Sequence, residues 1–134
     1  MANAIYPKFK EAILEAGMVG GTLTGGTPKA SLIDVNDYTY AGTTDEFFDD
    51  IPSGAVVATV TLGSLAYTLG AFTAADTAFT SVVGDPSEAV VIWTDSGTPS
   101  TSRLVAYIDN GGSLTVTPNG NNITLDLASP VFQL

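Results

Sequence analysis

Carboxylates are the one plentiful source of chemistry in this sequence: fourteen Asp and Glu stand against four Lys and Arg, and His and Cys are absent. The missing types exclude disulfides, thiolate and imidazole metal ligands, Cys nucleophiles and every triad that uses His as its base. A nucleophilic Ser would have to recruit Lys8, Lys10 or Lys29, so a Ser-Lys dyad is the only such arrangement open. The densest acids are Asp45, Glu46, Asp49 and Asp50, set around Phe47-Phe48. A Ca²⁺ ion would want several oxygens on such a compact turn, but a solvated acidic turn is the simpler reading. Asp34-Val35-Asn36-Asp37 starts like an EF-hand loop and then lacks both the Gly at the sixth position and the closing Glu. A glycosidase pair needs two carboxylates facing across a cleft, and nothing marks a substrate groove. No cofactor and no metal site are expected.

The remaining candidates also have structural readings. Gly20-Gly21 and Gly111-Gly112 fit neither a Walker loop nor the dinucleotide fingerprint, and no Lys follows where a phosphate would need one, so they read as turns. Trp93 with Tyr38, Tyr40, Tyr67 and Tyr107 could line a sugar platform, but Trp93 sits in the most apolar strand and reads as core. Arg103, the sole arginine, stands at a strand start beside a Ser/Thr loop. That placement suits a rim salt bridge or a subunit contact.

The elements that must position these groups are a short helix and then strands. Pro7 suits a first helical position; Phe9, Ala12, Ile13 and Ala16 draw one apolar stripe, and Gly17 suits a C-terminal stop. About ten residues of helix are marginal alone in water, so the Phe9/Ile13 face must dock on the chain's own sheet or on a neighbour. Strands are expected at 29–35, 55–62, 67–72, 77–82, 88–94, 103–109, 113–117 and 122–126, with a last extended piece at 131–134. Tyr38-Thr39-Tyr40 is β-prone, and residues 44–51 suit a helical turn stopped by Pro52. The strands at 88–94 and 103–109 alternate with apolar residues on both faces, the pattern of paired central strands covered on both sides. Short strands bounded by Gly, Pro and Asn turns predict a mainly β chain: an antiparallel β-sandwich or barrel-like domain with a short N-terminal α-helix. The whole of 1–134 reads as a single domain, with a helical segment at 1–17 and a β-rich body at 27–134.

Charge sets the partner classes. A net charge of −10 argues against nucleic acid, whose phosphates need clustered Lys and Arg. No apolar run reaches the roughly 20 residues of a membrane span, and the start lacks the apolar run of a secretory signal. Three of the four cations lie in the first 29 residues, so an acidic body follows a less acidic N-terminal contact element.

In order along the chain stand Ala2-Asn3-Ala4-Ile5-Tyr6-Pro7-Lys8, Ala30-Ser31-Leu32-Ile33-Asp34, Asp37-Tyr38-Thr39-Tyr40 and Glu46-Phe47-Phe48-Asp49-Asp50-Ile51-Pro52. Gly84-Asp85, Glu88-Ala89-Val90-Val91-Ile92, Ser102-Arg103-Leu104-Val105-Ala106-Tyr107-Ile108-Asp109 and Val116-Thr117-Pro118-Asn119-Gly120 follow. Together they resemble a family of small virion structural proteins of tailed double-stranded DNA bacteriophages, over nearly the whole chain except Asp126-Leu127-Ala128-Ser129-Pro130. The resemblance implies a non-enzymatic component of the virion. Its first implied role is head decoration or cement on the outer surface, binding and bridging major capsid protein subunits. A tail- or fibre-associated role is the alternative, and a carbohydrate-binding module stands further off. Anchors expected at such an interface are Tyr6, Phe9 and Ile13 on the helix, Phe47 and Phe48, and Arg103. The expected partners are the major capsid protein or another virion protein, with self-association into a homo-oligomer, a symmetric trimer, covering open strand edges.

Overall fold

The computed structural model describes residues 4–15, 26–109, 114–127 and 131–133. The chain is mainly β and antiparallel, with one short N-terminal helix. Its centre is a five-stranded sheet in the order β1-β7-β6-β2-β3, formed by β1 (Ala4–Ile5), β2 (Thr27–Ile33), β3 (Val56–Thr61), β6 (Ala89–Asp95) and β7 (Arg103–Ile108). Two short ladders complete it: β4 (Ala71–Phe72) pairs with β9 (Phe132–Gln133), and β5 (Thr77–Phe79) with β8 (Ile123–Leu125). The helix α1 spans Pro7–Glu15.

The expected central pair is present. Val91 faces Tyr107 and Ile92 faces Ala106 across β6 and β7, with a bulge after Ile92. Because side chains alternate along a strand, the register sets Ala89, Val91 and Trp93 beside Ile33, Ser31 and Lys29 on one face. Val90 and Ile92 join Leu32, Ala30, Ile108 and Ala106 on the other. Residues 34–55, here called the strap, cover the first face with Tyr38, Tyr40, Phe48 and Ile51. Toward the second face lie the short ladders: Phe132 lines a pocket with Ala106 and Ile108, and Phe72, Phe79 and Leu125 belong to the same hydrophobic core.

Several boundaries differ from the sequence expectation, each for a local reason. β1 was not expected: two residues pairing Ala4 with Tyr107 and Ile5 with Ala106 are too few to show a period. Tyr38-Thr39-Tyr40 does alternate inward and outward, but it joins no ladder, and its rings pack on the sheet instead. Of 67–72 only Ala71–Phe72 is strand, because a 3-10 turn at Thr68–Gly70 occupies the front half. Of the strand expected at 113–117, the described residues 114–117 carry a single bridge, from Val116 to Ser87. The helical turn expected near 44–51 is a 3-10 turn at Phe48–Asp50. Gly17, Gly20-Gly21 and Gly111-Gly112 lie outside the described residues.

The helix docks on the chain's own sheet. The Tyr6 N–H donates to the Val105 carbonyl at 3.0 Å just ahead of α1, and α1 contacts β7. Phe9 and Ala12 are buried by this contact. Ile13, expected on the same docked face, is turned partly to solvent. Among the described residues no helix is long and apolar enough to cross a membrane.

Candidate functional site

Most of the groups singled out in the sequence converge on the strap and the strand ends beneath it. One anchorage is a set of tyrosines. The Tyr38 hydroxyl donates to Asp45 Oδ2 at 2.7 Å, which leaves its oxygen to accept from the Tyr6 hydroxyl at 2.8 Å. Asp45 Oδ2 also accepts from the Ala41 N–H, closing the turn above it. Tyr40 lies 5.0 Å from the Tyr107 ring and 5.1 Å from the Tyr6 ring, centroid to centroid. Burial, then the neighbouring Tyr6 and Asp45, hold the Tyr38 hydroxyl protonated far above the usual tyrosine range. Burial does the same for Tyr6, partly offset by its bond to Tyr38.

The second anchorage is built on Arg103. Its guanidinium lies over the Phe47 ring at 4.8 Å and reaches Glu46 Oε1 at 3.1 Å. Arg103 is only 2% exposed, whereas Glu46 is 38% exposed. The expected salt bridge is present, but its place at the rim is corrected: the cation is buried against Glu46 and Phe47 of the strap, and its partner reaches water. Two backbone bonds run alongside, from the Phe48 N–H to the Ser102 carbonyl and from the Leu104 N–H to the Glu46 carbonyl. Phe48 stacks on Trp93 with ring centroids 3.8 Å apart. Asp50 Oδ2 accepts from the Glu46 and Phe47 N–H groups at 2.8 and 2.9 Å, fixing the turn. The acids at 45–50 are thus mostly committed to the chain itself, and they do not converge as ligands.

Lys29 shows the same economy. Its ammonium pairs with Asp95 at 2.7 Å and lies over the Trp93 ring. The Lys29 hydrogen bond, then the Gly97 N–H, hold the Asp95 carboxyl below the usual carboxylate range. Gly97 has φ +95°, a backbone state that favours glycine, at the turn of a loop cross-linked by Ser96, Thr101 and Ser102 hydroxyls. Lys8 is taken by Glu11 at 3.1 Å. The Ser-Lys dyad left open by the sequence therefore loses Lys8 and Lys29 to acids.

One carboxylate group was missed in the sequence because its third member lies far along the chain. Oxygens of Asp34, Asp37 and Asp85 lie within 4.8 Å of one another. Asp34 is buried, and its Oδ1 accepts the Asn36 N–H at 2.9 Å. Ca²⁺ takes six to eight oxygens, so three single oxygens are at most half a shell.

Beside the strap runs an open apolar groove of about 580 Å³, lined by Phe48, Ile51, Pro52, Val56 and Pro99, with Asp49 and Ser53 as its polar members. Pro99 comes from the β6–β7 loop and the rest from the strap and the start of β3, so the groove exists only where the strap meets that loop. The six expected anchors sort accordingly. Tyr6, Phe9 and Arg103 are buried inside the chain, which removes them as surface contacts. Phe47 and Phe48 are half-buried, and Phe48 lines the groove. Ile13 is partly exposed on α1, next to Leu14, which is 87% exposed. Leu14 was missed because it stands off the apolar stripe. Trp93 and Tyr107 are buried as well, so they form no flat sugar platform.

Compared with known proteins, the chain matches no family model and no curated sequence.

Proposed function

We propose that this chain is a non-enzymatic structural protein of a tailed-phage virion, and that it serves as a head decoration protein bridging major capsid protein subunits. The observation that carries the reading is how the charged and aromatic groups of the strap are spent. Arg103, Glu46, Asp45, Asp50, Tyr6 and Tyr38 all bind one another or the backbone. They sew a long irregular segment onto the sheet. What such a body offers a partner is shape and apolar surface, and those are what a bridging protein uses. Decoration works by buried area and complementarity on the order of 1,000 Å² or more. An acidic exterior suits this work, since like charge keeps decorated particles apart.

The test is cosedimentation of the purified chain with matching particles that lack it. Retention that saturates with added chain is expected. Particles that pellet without it overturn the proposal.

A further inference from the structure

The groove beside the strap and the outer ridge of α1 carry opposite features that no partner satisfies among the described residues. Lys10, Ile13 and Leu14 stand at i, i+3 and i+4, so they share one side of the helix. Leu14 is 87% and Ile13 40% exposed. Lys8, Lys29 and Arg103 pair with Glu11, Asp95 and Glu46, which leaves Lys10 as the cation without an ion pair among the described residues. The groove presents Phe48, Ile51, Pro52, Val56 and Pro99 around an exposed Asp49, whose carboxylate likewise has no partner among the described residues.

We propose that the α1 ridge of one copy docks in the groove of the next, with Leu14 and Ile13 on its apolar wall and Lys10 against Asp49. The occupant is a second copy of this chain because this sequence itself supplies both the apolar ridge and the charge that the groove lacks. In so acidic a chain, a lysine without an ion pair among the described residues, beside two exposed aliphatic side chains, is a scarce combination. Ridge and groove are different patches, so the contact is head-to-tail, and successive copies close into a ring or extend as a filament. This inference rests on the structural-protein reading and names its surface between copies. The purified chain alone tests it, so its failure is read apart from a failure to bind particles.

The experiment is sedimentation velocity with native mass spectrometry over a dilution series. The proteins are the wild type, Leu14→Asp, Asp49→Lys, Ser53→Trp and the double exchange Lys10→Asp with Asp49→Lys. The wild type self-associates. Leu14→Asp and Asp49→Lys each weaken association by about tenfold or more, and the double exchange recovers most of the loss. Ser53→Trp fills the groove from an exposed position and weakens association without touching α1. It keeps the test valid if an acid at position 14 frays the helix. A wild type that stays monomeric throughout the series overturns the proposal. So does association unchanged in Leu14→Asp, Asp49→Lys and Ser53→Trp, or a double exchange that recovers nothing.

Discussion

Between Ile33 and Val56 the chain covers one face of the central sheet with no ladder of its own beyond the Phe47–Arg103 bridge. The opposite face is covered by two ladders of two and three residue pairs. The two coverings are held by different physics. On the ladder side Phe72 stacks on Phe132 and joins the core with Phe79 and Leu125. Burial of apolar area, at roughly 25 cal/mol per Å², does the work there. The strap adds a relay of Tyr6, Tyr38 and Asp45, and a buried guanidinium held by Glu46 and Phe47. An irregular segment makes few ladder bonds, so side chains such as Asp45, on the Ala41 N–H, and Asp50, on the Glu46 and Phe47 N–H groups, add to its scattered backbone bonds. The ladder side should therefore respond to volume, and the strap side to charge and proton concentration.

The largest effect belongs to volume. Phe72→Ala should cost about 4 kcal/mol through the cavity it leaves, with the pH dependence of stability unchanged; urea unfolding at several pH values checks both parts. A Phe72→Ala protein whose pH profile changes would break the comparison. Arg103→Ala comes next, at about 3 kcal/mol, because it removes a desolvated cation and the packing under Phe47. Its signature is local: faster hydrogen exchange at the Phe48 and Leu104 amides, which the strap holds.

Tyr38→Phe should cost about 1–2 kcal/mol by breaking the relay, and its sign with pH is fixed. An unfolded chain begins to lose tyrosine protons near pH 10, while folded Tyr38 and Tyr6 keep theirs far higher. Their contribution is therefore complete below about pH 10 and is lost as pH rises beyond it. In the wild type, tyrosinate absorbance should appear late and together with unfolding; in Tyr38→Phe the alkaline loss of stability should be smaller. The smallest effect has the opposite sign. Thr94, the register partner of Arg103, is buried with its hydroxyl unpartnered among the described residues. Thr94→Val removes that unsatisfied group at nearly constant shape and should stabilise by about 1 kcal/mol, read as a higher urea midpoint.

The readable parts of this fold are those whose signal is local. β6 and β7 announce themselves because Val90, Val91, Ile92, Leu104, Val105 and Ala106 are apolar on both faces. The start of α1 is legible from Pro7, and its docked side from Phe9 and Ala12. The strap is not legible, since its order comes from partners far away: Tyr38 waits on Tyr6, Glu46 on Arg103 and Phe48 on Trp93. For the same reason Arg103 looks like a rim residue in sequence and proves to be buried. The groove was invisible because Pro99 meets the strap only after the β6–β7 hairpin folds. The Asp34, Asp37 and Asp85 group likewise needs the sheet to bring its third member close.

The central proposal is that this sewn β body is a bridging component of a phage head. The most direct measurement is a cryo-EM map of particles lacking the chain, after addition of the purified protein. The account predicts new density on the head surface at junctions between capsid subunits, with the five-stranded sheet and strap fitting inside it. Density confined to the tail, or a head surface unchanged by the addition, would contradict it.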